Sequence, residues 1–133
     1  MRKRPNAEDV SRYADMLAAM GAEPRLRIMR LLLSAHPHGL VVGDIAGELG
    51  MAGSSLSHHL EKLKNKGLVS VKRESTFLRY SADSEALQGL LGFLYAECCT
   101  RNQAIAPEAI VQIAKWTTKT RIPSRGSKEI TNE

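Results

Sequence analysis

The chain has 133 residues, of which 43% are hydrophobic and only 5% aromatic, and it carries a formal net charge of +5 with a sequence pI near 9.5. That length allows one small domain with an aliphatic core, of a size often stabilised by dimerisation. No stretch approaches the roughly 20 apolar residues of a membrane span, and the charge favours an anionic partner, nucleic acid ahead of a membrane surface.

The start, "MRKRPNAEDV", is basic but lacks the apolar run of a signal peptide. From Glu8 to Met20 the spacing of Tyr13, Met16, Leu17 and Met20 predicts a first helix, broken at Gly21. Pro24 suits the first turn of a second helix, "PRLRIMRLLLSA", because its missing N–H costs nothing there. "HPHGL" reads as a loop, and "VVGDIAGELG" as a short helix closed by Gly50.

A further helix is expected from Gly53 to Lys66, stopped by Gly67. On a helical wheel Leu56, His59, Leu60 and Leu63 share one side. Ser54, Ser55, His58, Glu61, Lys62 and Asn65 share the other, with Ser57 and Lys64 at its border. The period then changes to two in "LVSVKRESTFLRYSA", a β-hairpin turning at "REST". From Asp83 or Ser84 a long helix is expected, fading near Ala104, with Leu87, Leu90, Leu91, Leu94, Tyr95 and Cys98 on one stripe. Asp83 stands where an N-cap belongs. Residues 107–133 read as an extension, with a short helix "PEAIVQIAKW" and then a polar, flexible tail, so the main domain spans 1–106.

Two helices joined by a tight turn and followed by a hairpin describe a winged helix-turn-helix, mainly α with a β-hairpin wing. The second helix of the pair would enter a major groove of double-stranded DNA. Between Gly50 and Ala82 stand Lys62, Lys64, Lys66, Lys72, Arg73 and Arg79 against only Glu61 and Glu74, so most of the charge excess falls on the expected contact surface.

"LSHHLEKLKNKGLVSVKRESTFLRYSA" resembles the recognition helix and wing of the ArsR/SmtB family of dimeric metal- and metalloid-sensing repressors, and "MGAEPRLRIMRLLL" resembles the segment before them. The likeness covers about Ala14 to Cys99. It rests on the Ser-x-His-Leu core at Ser57–Leu60 and the Leu-(x)3-Gly-Leu-Val run that follows. It implies a cytoplasmic homodimer, paired through its first and last long helices, that represses transcription from operator DNA. By that resemblance Ser54, Ser55, Ser57 and His58 touch bases or phosphates, and Lys62 neutralises phosphate. Arg73 and Arg79, flanking the hairpin turn, are placed on phosphates or in the minor groove. Lys72 alternates to the face opposite Arg73, and His59 is expected to pack in the core.

The only cysteines are the adjacent Cys98 and Cys99. A bridge between neighbours constrains almost no chain, so they are no structural staple, and a reducing setting is expected. Two of the family's known ligand sites are incomplete here: Val41 and Gly43 stand where one needs thiols, and Asp83-x-Glu85 lacks distant partners for the other. Thiolates prefer soft centres. The resemblance therefore implies trivalent arsenic or antimony at Cys98 and Cys99 as inducer, with a third donor from water, from the ligand's own carbon or from a partner chain. A thiol-redox or zinc-responsive regulator of the same fold is the alternative. A thiol enzyme is disfavoured, since there is no Cys-x-x-Cys, glycine-rich phosphate loop or acid–base pair beside the thiols.

Overall fold

The computed structural model describes residues 6–101. The chain divides into two compact units, 1–87 and 88–133. In chain order the elements are α1 (Ala7–Met20), α2 (Glu23–Ser34), β1 (Leu40–Val41), α3 (Val42–Leu49), α4 (Gly53–Asn65), β2 (Val69–Glu74), β3 (Phe77–Ala82) and α5 (Ser84–Tyr95). The extension expected over 107–133 lies outside the described residues.

The helix boundaries follow local chemistry. Asn6 caps α1 by accepting a hydrogen bond from the Asp9 amide at 2.7 Å, and Glu8 and Asp9 place negative charge at the positive end of that helix. Pro24 sits in the first turn of α2. Gly50, at φ 64°, ends α3 in the left-handed conformation. The end of α4 is a full Schellman motif: the Gly67 amide donates to Lys64 O at 3.0 Å and the Leu68 amide to Leu63 O at 3.0 Å. Gly67 has φ 75°, and the apolar contact that accompanies such an end is available because Leu63 and Leu68 are both fully buried. Asp83 caps α5, its Oδ1 accepting from the Ala86 amide at 3.0 Å.

The core of the first unit is aliphatic. Ile28, Met29 and Leu32 of α2, Ile45 of α3, and Leu56, Leu60 and Leu63 of α4 are at most 1% exposed, and Met16 of α1 is buried with them. Each such side chain contributes about 1.5–3 kcal/mol on transfer from water. That suffices to fix α4 by its leucine face and leave its serine face outside.

The sheet differs from the expected two-stranded hairpin. It has three antiparallel strands in the order β1-β3-β2, with Leu40 opposite Tyr80 and Val41 opposite Arg79 on the added edge. In the hairpin, Val69 pairs with Ala82, Lys72 with Arg79, Arg73 with Leu78 and Glu74 with Phe77. The turn is tight, and Ser75 takes φ 59° within it.

The last helix is shorter than its apolar stripe predicts. α5 ends at Tyr95 instead of continuing towards Ala104. Beyond it the amide bonds contract to i−3, from Ala96 to Phe93 O, Cys98 to Tyr95 O and Thr100 to Glu97 O, and Cys99 turns left-handed at φ 62°. The stripe records which residues are apolar; it does not record a change of backbone hand.

Candidate nucleic-acid interface and thiol pair

Because Leu56, Leu60 and Leu63 anchor α4 inward, the intervening residues must face out. Ser54, Ser55, Ser57, His58 and Lys62 are all exposed, as the sequence predicts. The first turn of α4 holds no acidic residue, and its N-cap, Ala52, offers no side-chain acceptor. The bare amides at this end therefore carry a partial positive charge beside two exposed hydroxyls.

The cations are not equivalent. Lys64 pairs with Glu61 at 3.6 Å and Lys66 with Asp15 of α1 at 3.5 Å. Among the described residues Lys62, Lys72 and Arg73 have no ion-pair partner, so their charge is uncompensated.

Register places the two wing arginines, expected together on phosphates or in the minor groove, on opposite faces of the hairpin. Arg79 stands opposite Lys72, and Arg73 stands opposite Leu78 on the other face. Arg79 is also half-buried and occupied: Nε donates to Glu74 Oε1 at 3.0 Å and Nη1 to the Gly39 carbonyl at 3.2 Å. It ties the approach to β1 onto the wing. Lys72 and Arg79 line a polar cleft of about 440 Å³ with Pro37, His38, Glu74 and Ser81. Nothing in the alternating pattern marked β1, so it could not show that Arg79 is engaged there.

His59 is half-buried, on the leucine side of α4 as expected, but it is not simply packed. Its Nδ1 lies 3.3 Å from Nη1 of Arg25 on α2. Burial first, then the charge of Arg25 and more weakly those of His58 and Lys62, hold its pKa below the ordinary histidine value. A partner 34 positions away leaves no periodic signal in a sequence.

Cys98 and Cys99 are half-exposed, free, and 3.1 Å apart at their sulfurs. The hydrogen bond that the Cys98 thiol shares with Cys99 as donor, with smaller contributions from burial and from the charge of Cys99, raises the Cys98 thiol above its ordinary pKa. Among the described residues no three His, Cys, Asp or Glu side chains gather into a metal cluster.

An outward polar helix face, free cations beside it and a three-stranded wing define a winged helix-turn-helix DNA-binding regulator. The family model described as "Bacterial regulatory protein, arsR family" matches residues 23–71, from α2 into β2. The chain is 37% identical to the nodulation protein NolR of Rhizobium meliloti over 87 residues, 65% of this chain and 69% of NolR. It is 33% identical to the transcriptional activator HlyU of Vibrio cholerae over 88 residues, 66% of this chain and 79% of HlyU. A solved structure of that HlyU aligns with a TM-score of 0.58 at 29% identity, covering 71% of this chain and 99% of HlyU. Another, described as reduced HlyU, aligns at 0.56 with 29% identity and coverage of 69% and 94%. The homodimeric winged helix-turn-helix domain of a possible ArsR-family regulator from Mycobacterium bovis aligns at 0.56 with 25% identity, covering 77% of this chain and 94% of that one. The chain belongs to the ArsR family of bacterial regulatory proteins. No helix among its described residues is long and apolar enough to cross a membrane.

Proposed function

We propose that the protein is a cytoplasmic, homodimeric repressor that binds double-stranded operator DNA and is released when a trivalent arsenical joins Cys98 to Cys99. The DNA-binding half rests on the exposed face of α4. Ser54, Ser55, Ser57 and His58 reach base edges or phosphates, while Lys62 and Arg73 neutralise phosphates. Arg79 serves this surface by bracing the wing, and Lys72, its cross-strand neighbour, takes the phosphate beside it. The M. bovis relative supports the dimeric assembly.

The observation that carries the inducer is the sulfur pair, 3.1 Å apart in a half-exposed turn. Methylarsenite fits two donors: two As–O bonds break, two As–S bonds form, and two waters leave with the thiol protons. The methyl carbon then completes the pyramid. Arsenite and antimonite react alike but retain a hydroxide as third substituent. Complete inversion of operator occupancy needs a preference of about 5 kcal/mol for the released state, which two strong sulfur bonds can supply.

The names of NolR and HlyU refer to no metalloid, and one form of HlyU is described as reduced. A thiol-redox regulator is therefore the second reading. Zinc has less support, since a tetrahedral site calls for more ligands than the pair offers. Replacing each cysteine by serine separates the readings. For the arsenical reading, C98S and C99S each keep wild-type operator affinity and lose methylarsenite-induced release, as followed by fluorescence anisotropy. Wild-type complex that dissociates with oxidant and ignores methylarsenite establishes the redox reading instead.

A further inference from the structure

One arginine joins three helices of the first unit. Arg25 of α2 donates through Nε to the carbonyl of Ala19 on α1, and through Nη1 to Nδ1 of His59 on α4. A guanidinium only donates, so Nδ1 must be the bare nitrogen of the ring, with the proton on Nε2. His59 is thus an acceptor only while neutral. Its neighbour His58 stands on the exposed face of α4, so the helix carries one histidine towards solvent and the next towards its support.

We infer that Arg25 and His59 are positioning residues for DNA recognition: neutral His59, held by Arg25, fixes the rotation of α4 against α1 and α2. The inference rests on the DNA-binding reading above. Around a helix axis consecutive residues are separated by about 100°, so a modest rotation of α4 moves Ser54, Ser55 and Ser57 off their contacts together. Leucine packing alone fixes the depth of α4 firmly and its rotation less so, because an apolar face is non-directional. A charge-assisted hydrogen bond supplies the missing direction.

Protonation removes the acceptor and sets two cations against each other. The charged groups acting on the ring are Arg25 from α2 and His58 and Lys62 from α4, all of the same sign, while α1 contributes the Ala19 carbonyl that holds Arg25. An unfolded histidine titrates near about 6.5. As pH falls through that value, the unfolded chain takes up the proton before the folded one does. The stabilisation is therefore complete above about 6.5 and is lost towards the lower folded pKa.

The test compares wild type with H59N, whose Oδ1 stands near the place of Nδ1 and accepts at every pH. Operator affinity is measured at pH 7.5 and 5.5 at one salt concentration, so that pH effects common to both proteins cancel. Wild type is expected to lose affinity from pH 7.5 to pH 5.5 more steeply than H59N does. R25K, which keeps the charge but cannot fork between Ala19 and His59, is expected to bind more weakly at pH 7.5 and to lose the extra pH dependence. Imidazole nitrogen NMR of the DNA-free protein reads the bond directly, with Nδ1 bare at pH 7.5. Equal pH profiles in wild type and H59N overturn the inference, as does a proton on Nδ1. If wild type binds no double-stranded DNA at either pH, the DNA reading itself fails and the inference falls with it; the NMR result still reports whether the bond exists.

Discussion

Gly39 determines whether β1 can form. At φ 77° it takes a conformation side chains resist, and a Cβ there would lie 2.1 Å from the carbonyl oxygen of Tyr80. G39A is expected to cost about 2–4 kcal/mol, combining the left-handed penalty with overpacking. In thermal unfolding that is a fall in Tm on the order of 10–20 °C. An unchanged Tm would mean that β1 does not hold this register. The sequence hid the strand because two residues, Leu40 and Val41, are too few to show a period of two. The cysteines were legible as a pair, but their left-handed turn was not. Cys98 fits a helical apolar stripe as well as any leucine, and the φ of Cys99 has no signature in residue type.

Among the elements, α4 was the most legible. Its leucines, serines and Gly67 each stand where the sequence places them, because a surface helix must alternate faces and a glycine end is encoded locally. The wing was legible as strands but not as faces, since register depends on the length of the turn. The consequence is measurable as the dependence of log affinity on log salt. K62A and R73A are each expected to lower the slope by about one, reflecting one phosphate contact apiece. R79A is expected to leave the slope unchanged while lowering stability by about 1–2 kcal/mol through the lost bonds to Glu74 and Gly39. A slope reduced by about one in R79A, with unaltered stability, would instead place its guanidinium on DNA.

At the scale of the whole molecule, the remaining apolar surface asks for a cover. Val10 and Leu17 of α1 are 50% and 42% exposed, and Leu94 and Tyr95 of α5 are 51% and 39% exposed. A second copy of the chain covers both helices in the proposed dimer. L94E is then expected to sediment as a monomer and to lose roughly a hundredfold or more in operator affinity, since one half-site no longer assists the other. Wild-type sedimentation and affinity in L94E would remove α5 from the interface.

The proposal depends most on the link between the sulfurs and the DNA. Its most direct test is a titration of the preformed complex of reduced protein and operator with methylarsenite at fixed salt, monitoring anisotropy and free thiols together. The expected result is full release, complete at one arsenical per protomer, with both thiols consumed over the same range. Consumption of both thiols while the operator stays bound would contradict it.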